Sequence, residues 1–279
     1  PFFPTILLLS AASQALPAQI LEVNLDEPDY DRWVYPFNGS PGSRSVAATF
    51  SAYGDEYDYF EDRDGEVLLG FHTDAFVPVG LGASSYSIVS ATVTLMIESD
   101  DIVYDETVDS WETHLEDGPD DVDAGRAVIV SGAAFRNDWD GWTYGETGPF
   151  GDLAIAGRNV YPIDFDTFGT ARDIANNVTQ QFQPMPFGVG RTEEVEPGAI
   201  LPTLTTLTFD LAVDDPDVQC YLRSAVDTGL VSLLVTSLHS AGEQGQGDAI
   251  YPDWIMKENS LVFVGLADAV GEMLGCMDT

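Results

Sequence analysis

Short apolar runs with a two-residue period recur along the chain, separated by Gly, Pro, Asp and Asn. The clearest is 87–97, in which every second residue from Val89 to Ile97 is apolar and most residues between them are Ser or Thr. Such alternation is typical of a β-strand that buries one face. We predict further strands at 66–72, 126–131, 203–212, 229–236 and 260–265.

Helical signals are few by comparison. Residues 214–229 begin with acidic side chains, carry Pro216 near the first turn and end at Gly229, as a capped helix does. The apolar stripe of this helix consists of Val218, Leu222 and Val226. A second short helix is predicted at 170–178, whereas 267–274 fits either a strand or a short helix. Many short strands with one or two short helices predict an all-β protein, and specifically a β-sandwich.

The start of the chain differs from the rest. The first twenty residues carry no charge, and Phe2–Ala12 has the length of a signal-peptide apolar core. Small residues at Ser13 and Ala15, the −3 and −1 positions, fit cleavage after Ala15, so we expect 1–15 to be a signal peptide with a truncated start. A buried N-terminal strand is the alternative. No linker divides the remainder, so 22–279 is expected to form one domain, extracellular or at the cell surface.

The charge balance excludes several partners. The chain has 47 Asp and Glu but 10 Lys and Arg, for a net charge of −37. A nucleic-acid binder needs a basic surface, and so does a protein that adheres to an anionic membrane. The hydrophobic fraction of 44% is too high for an acidic disordered tail. Because salt screens the repulsion between carboxylates, we expect a saline environment.

Three segments, 66–78, 88–112 and 217–252, resemble in order the DNRLRE-type, carbohydrate-binding-module-like domains of secreted bacterial proteins. They contain a strand ending in a Leu-Leu core, a Ser-Ala-x-Val-x-Leu strand before Trp-Glu, and a late Ser-x-x-Glu segment before a proline. Segment 31–38 is similar to exported proteins of planctomycete-like marine bacteria. The resemblance implies a β jelly roll, often attached to enzymes or surface proteins, that sometimes binds polysaccharide.

Aromatic side chains are the candidates for glycan binding, because flat amphipathic rings stack on the apolar faces of sugars. Trp139, Trp142 and Tyr144 lie together in the polar loop 137–145 and form either an exposed platform or a core that anchors the loop. Glu112, beside a tryptophan, and Glu243 are the candidate acids for glycan cleavage.

Calcium is the metal that the acidic loops favour, since Ca²⁺ takes six to eight oxygen ligands. Loop 116–125 combines four aspartates with two glycines, and its alternative is a solvated acidic loop. The candidate ligands are Asp117, Asp120, Asp121 and Asp123. Segment 62–66 also resembles the opening of a calcium loop.

Other chemistry has less support. The three histidines are isolated, so neither a zinc site nor a Ser-His-Asp site is indicated. Cys220 and Cys276 either pair or remain free. We therefore expect an exported, non-catalytic β-sandwich protein that binds polysaccharide or builds the cell surface. The alternatives are a glycan-cleaving enzyme with a Glu/Asp pair in a groove, and a self-assembling surface or filament subunit.

Overall fold

The computed structural model describes residues 19–52, 60–151, 158–241, 250–259 and 265–273. Within these ranges the protein consists mainly of β-strands, with two α-helices and three short 3-10 helices. The predicted signal peptide, 1–15, lies outside the described residues. In the part of the chain that is described, no helix is long and apolar enough to cross a membrane.

Helical segments are interspersed among the strands. The strands are β1 (Gln19–Leu25), β2 (Tyr30–Val34), β3 (Val46–Ala48), β4 (Glu66–His72), β5 (Ser87–Met96), β6 (Val128–Phe135), β7 (Val160–Phe165), β8 (Ala171–Asp173), β9 (Gly188–Arg191), β10 (Thr206–Asp210), β11 (Leu230–Ser237), β12 (Asp253–Ile255) and β13 (Gly265–Met273). The α-helices are α1 (Gly141–Tyr144) and α2 (Pro216–Thr228), and the 3-10 helices cover Pro41–Ser43, Ala83–Ser85 and Trp111–His114.

Most strands belong to one curled antiparallel sheet. Its order is β1-β13-β5-β10-β9-β6-β11-β4-β2, with β7 beside β6 and β8 beside β7. Strand β9 pairs with β10 on one side and with β6 on the other, so the sheet folds over and its two halves face each other. We call β1, β13, β5 and β10 the first layer, and β6, β11, β4 and β2 the second layer. The prediction of an all-β sandwich with short helices is confirmed.

The main core lies between the two layers. The first layer contributes Val93 and Leu95 from β5 and Phe209 from β10, while the second contributes Leu69 and Leu233. All five side chains are at most 2% exposed. The alternation predicted for β5 therefore has its expected cause, which is removal of every second side chain from water.

One residue of β5 departs from the predicted alternation. Val89, expected on the buried face, is 53% exposed, whereas Ile88 is 6% exposed. The register explains the difference, because Val270 pairs with Ser90 and the next residue, Gly271, pairs with Ile88. Val89 is thus the extra residue of a β-bulge, which turns its side chain outward.

The second layer is buried on both faces. All eight residues of β11 are buried, as are the first six of β4. On the outer face, Leu68 and Leu234 pack with Tyr144 and Val160 in a second hydrophobic cluster. The segments that follow β6, including α1, therefore cover this face.

The helix prediction at 214–229 is confirmed by α2. Asp215 caps it, since its carboxylate accepts hydrogen bonds from the backbone N–H groups of Asp217 and Val218. Gly229 ends it with φ of 86°, a left-handed conformation that favours glycine. The predicted stripe is buried, as expected.

The second helix, predicted at 170–178, is wrong. Ala171–Asp173 is instead strand β8, which pairs with β7. Arg172 donates two hydrogen bonds to Asp164 on β7, and this long-range pairing overrides the weak local helix signal. Residues 267–273, for which strand and helix were both open, belong to β13. Apart from Gly265, the strand predicted at 260–265 lies outside the described residues.

We expect Gly70→Ala to destabilise the fold by about 1–3 kcal/mol, because overpacking strains a filled core. A Cβ on Gly70 would lie 2.0 Å from Cζ of Tyr30, whose hydroxyl is held by a 2.9 Å hydrogen bond to Ser232. Urea unfolding measures the change. Gly39→Ala is the control, since its Cβ would meet nothing within 4 Å. Equal stabilities of the two variants would contradict this packing.

Candidate functional site

Helix α1 fixes the aromatic loop that the sequence singles out. The Asp140 carboxylate accepts a 2.8 Å hydrogen bond from the N–H of Thr143, whose hydroxyl accepts a 3.0 Å bond from the N–H of Asp140. This capping box directs Tyr144 inward, where it is fully buried with its ring centroid 4.4 Å from Cζ of Arg32. Trp139 is half-buried and meets Tyr144 edge-on. Tyr144 and Trp139 therefore anchor the loop.

Trp142, between them, has a different environment. Its side chain is 46% exposed and stacks on His72, with 4.5 Å between ring centroids. Nδ1 of His72 lies 3.4 Å from the carboxylate of Asp29, which holds the imidazole in place under the indole. Of the three predicted platform residues, Trp142 is the one that offers a ring to solvent.

Trp142 borders a groove between α1 and α2. The cavity measures about 290 Å³, at the small end of the range for small-molecule sites. Its floor is formed by the adjoining ends of β6 and β11, and its walls by the two helices. The lining residues include Phe135, Asp140, Trp142, Tyr221, Ser224, Thr228 and Leu230.

Hydrogen bonds hold the floor of the groove rigid. The hydroxyl of Tyr221 donates to the carbonyl of Ser232 and accepts from the N–H of Ala133. Burial raises the pKa of Tyr221 above its ordinary value, so this hydroxyl stays neutral. On the rim, hydrogen bonds from Thr143 lower the pKa of Asp140, which is therefore ionised at neutral pH. The groove combines an apolar floor with one fixed anionic acceptor.

A buried ionic cluster lies elsewhere on the outer face, and the sequence did not indicate it. Arg158 is 1% exposed and contacts three carboxylates: Nε lies 2.5 Å from Glu61, Nη2 lies 3.1 Å from Asp64, and Nη1 lies 2.5 Å from Glu66. Burial raises the pKa of Glu61 to about 7, and that of Glu66 well above its usual range, despite the attraction of Arg158. All four residues are at most 3% exposed, so the cluster cannot reach a substrate from solution.

The segment that supplies these carboxylates is a structural element. Asp62 accepts 2.7 Å hydrogen bonds from the N–H and hydroxyl of Thr179. Arg63, in turn, donates to Asn177 and to Thr236 on β11. Segment 62–66, which resembles the opening of a calcium loop, therefore ties a distant turn to the second layer.

The four predicted calcium ligands do not come together as a set. Asp117 and Asp120 are exposed, and Asp121 forms an ion pair with Arg126. Asp123 instead joins two residues of an earlier loop, and one carboxylate oxygen from each member lies within 4.8 Å of the others. The members of this group are Asp105, Asp109 and Asp123.

A second acidic group is already paired with a lysine. It comprises Asp31, Glu146 and Glu258, and Lys257 pairs with Glu146 through its ammonium group. Asp31 is fully buried and accepts a 2.7 Å hydrogen bond from the backbone N–H of Lys257. Burial, reinforced by repulsion from Glu258, raises the pKa of Asp31 to about 7.

The remaining candidates lie apart from the groove or outside the described residues. Glu112 is exposed on the 3-10 helix Trp111–His114, and Glu243 falls outside the described ranges. Cys220 is exposed on α2, while Cys276 also falls outside, so their pairing stays a prediction.

No family model matches the chain, and no curated protein matches it.

We expect Arg158→Met to lower the free energy of unfolding by about 3–5 kcal/mol, because it leaves buried carboxylates without their cation. Urea unfolding at neutral pH measures the loss. Arg191→Met is the matched control, since Arg191 is 65% exposed on its side chain and lies 3.9 Å from Glu106. The control should change stability by less than about 0.5 kcal/mol. A loss at Arg158 no larger than at Arg191 would show that the cluster contributes nothing.

We expect the buried carboxyl groups to lower the free energy of unfolding as the pH rises from 5 to 7. Folding raises the pKa of Asp31 and of Glu61 to about 7, so the folded state retains protons that the unfolded state has released. The stabilisation from these retained protons is fully present below the pKa values of the unfolded chain, and it is lost as the pH rises through 7. Each group contributes up to about 1.4 kcal/mol per pH unit within this window.

The Asp31→Asn variant separates the contribution of Asp31 to the pH dependence of stability from the general effect of removing a negative charge. It should flatten the dependence of unfolding free energy on pH between 5 and 7, because asparagine does not titrate. Asp120→Asn removes one charge at an exposed position and serves as the control. If both variants retain the same slope as the parent, the pKa of Asp31 is not raised by folding.

Proposed function

We propose that this chain is an exported, non-catalytic β-sandwich protein that binds a neutral polysaccharide in the groove between α1 and α2. The observation that carries the proposal is the 46% exposed ring of Trp142 at the border of that groove. Export is supported by segment 1–15, which is uncharged and largely apolar. Its small residues Ser13 and Ala15 fit a signal-peptide cleavage site.

The groove has the two features that sugar recognition requires. An indole presents a flat apolar surface to the C–H face of a pyranose, and the stack on His72 fixes its orientation before a ligand arrives. Hydroxyl and carboxylate groups at Ser224, Thr228 and Asp140 line the same space and can bond to sugar hydroxyls. A cavity of about 290 Å³ suits a single sugar ring at Trp142 better than a long stretch of chain.

Electrostatics favour a neutral ligand. The protein has a net charge of −37, and one of its carboxylates, Asp140, lies at the rim of the groove. A uronate or sulfated glycan would meet repulsion there, and salt would relieve it only in part. Neutral polymers such as cellulose and chitin are therefore the expected class.

The chemistry of the groove supports binding without cleavage. A glycosidase needs a second carboxyl group as well as an acid whose pKa is raised so that it carries a proton. Among the described lining residues, the acidic side chain is Asp140, and its pKa is lowered. Cleavage by Glu112 and Glu243, and self-assembly, stay predictions without support from this groove.

Pull-down assays with insoluble cellulose and chitin, alongside affinity electrophoresis in alginate, test the proposal. We expect binding to a neutral polymer, and Trp142→Ala should weaken it about tenfold or more, a loss of about 1.4 kcal/mol. Alginate should not retard the protein.

Phe168→Ala is the matched control, because Phe168 is a 90% exposed aromatic residue outside the groove lining. It should bind as the parent does. Absence of binding to every neutral polymer, or undiminished binding by Trp142→Ala, would refute this function for the groove.

A further inference from the structure

Two loops that are separate in the sequence lie against each other beside the sandwich. One contains Asp105, Thr107 and Asp109, and the other contains Asp123 and Gly125. A Cβ on Gly125 would lie 2.7 Å from the carbonyl oxygen of residue 103 and 3.0 Å from Cβ of Asp105, so glycine permits this approach. The contact brings acidic side chains from both loops to one place.

The oxygens of these side chains converge closely. One carboxylate oxygen from each of Asp105, Asp109 and Asp123 lies within 4.8 Å of the others. The hydroxyl of Thr107 lies between two of these carboxylates, 2.7 Å from Oδ1 of Asp105 and 2.9 Å from Oδ2 of Asp123. A hydroxyl has one proton and can donate to one of these carboxylates only. The other oxygen–oxygen contact then has no proton between its atoms, and a positive charge nearby would stabilise it.

Asp105 gives a second and independent indication. The residue is 5% exposed, and its Oδ2 is buried with no hydrogen-bond partner. Its other oxygen, Oδ1, accepts from the N–H and the hydroxyl of Thr107. A buried carboxylate oxygen without a donor is costly unless a cation binds it. Asp105 belongs to the converging group, and a cation bound by both of its carboxylate oxygens would supply Oδ2 with the missing partner.

The neighbouring arginine does not fill this role. Nη1 of Arg126 lies 3.2 Å from Asp109 and also pairs with Asp121. Its ion pairs are with those two carboxylates, and Oδ2 of Asp105 remains without a hydrogen-bond donor. Arg126 thus pairs with two of the four neighbouring carboxylates, which leaves an excess of negative charge.

We propose that Asp105, Asp109 and Asp123, with the hydroxyl of Thr107, bind one calcium ion that joins the two loops. Calcium prefers carboxylate and hydroxyl oxygens at 2.3–2.6 Å, so opposite ligands stand about 4.6–5.2 Å apart, a span that accommodates this group. Asp123 is exposed, and water completes the six to eight ligands on that side. Magnesium requires shorter metal–oxygen bonds and near-octahedral coordination. To bind it, side chains from both loops would have to move closer together.

The proposed site differs from the ligand set expected from loop 116–125. Asp123 is retained from that set, whereas the other carboxylates come from the pattern Asp105-x-Thr107-x-Asp109. The segment bends at Thr107, whose N–H donates to Oδ1 of Asp105, and this local turn places oxygen-bearing side chains together. The spacing is visible in the sequence, but the second loop that completes the site is not.

Calorimetric titration of the chelator-treated full chain with CaCl₂ tests the proposal, in about 0.5 M NaCl to suppress general screening by divalent ions. We expect one site with a dissociation constant of about 0.1–1 mM, as in extracellular calcium modules. At about 10 mM, calcium should raise the melting temperature by about 3–8 °C, and equal MgCl₂ should raise it by much less.

Asp105→Asn and Asp123→Asn identify the ligands. Asparagine at 105 keeps an acceptor for Thr107 but removes the free carboxylate oxygen, so both the heat of binding and the calcium-dependent shift should disappear. Asp123→Asn, at an exposed position, gives the same test without risk to folding. Asp117→Asn and Asp120→Asn, in the same loop and equal in charge change, should retain the shift.

The contrary results are equally defined. A parent chain that shows no heat of binding and no shift beyond that of magnesium would overturn the proposal. So would Asp123→Asn with an unchanged shift, or Asp117→Asn with a complete loss. Each of these results is independent of polysaccharide binding, because Trp142 belongs to the groove and not to this cluster.

Discussion

The structure depends on a requirement that both faces of the second layer be covered. Strands β4 and β11 carry apolar side chains on each face, and leaving Leu68 and Leu234 in water would cost about 25 cal/mol for every Å² exposed. The first layer covers the inner face. The outer face is covered by the chain that follows β6, which brings α1 and the ring of Tyr144 onto it. The groove beside Trp142 lies between this covering segment and α2.

The same cover encloses charge. Arg158 and the carboxylates it contacts are almost fully buried, with more negative than positive groups in the cluster. Such a cluster contributes little net stability relative to apolar packing, but removing its cation is expensive. Because the attraction does not compensate for desolvation at Glu61 and Glu66, their raised pKa values link stability to pH. A protein with a net charge of −37 therefore has two classes of carboxylate, solvated ones and buried ones.

The sequence indicated which loops contain the candidate site residues, but not which side chains of those loops are exposed or lie together. The cluster of Trp139, Trp142 and Tyr144 marks the loop that borders the groove, yet all three have the same sequence signal. A capping box at Asp140 and the cluster on the outer face then bury Tyr144 and leave Trp142 exposed. The acidic loop likewise contains Asp123, but its neighbours in space, Asp105 and Asp109, come from another loop. Proximity across loops is a consequence of topology and has no local pattern.

By itself, the sequence determined the all-β class, strands β4, β5, β6, β10 and β11, and helix α2, because two-residue alternation and capping residues act within a few positions of the chain. Only the tertiary structure decided features that rest on distant partners. The bulge at Val89 is set by the register with β13, and β8 forms in place of a helix because β7 pairs with it. The burial of Glu66 beside Arg158 likewise depends on residues brought together by the sheet. Among 47 acidic residues, identity alone cannot distinguish a solvated carboxylate from a buried one, since the difference lies in what the fold places around it.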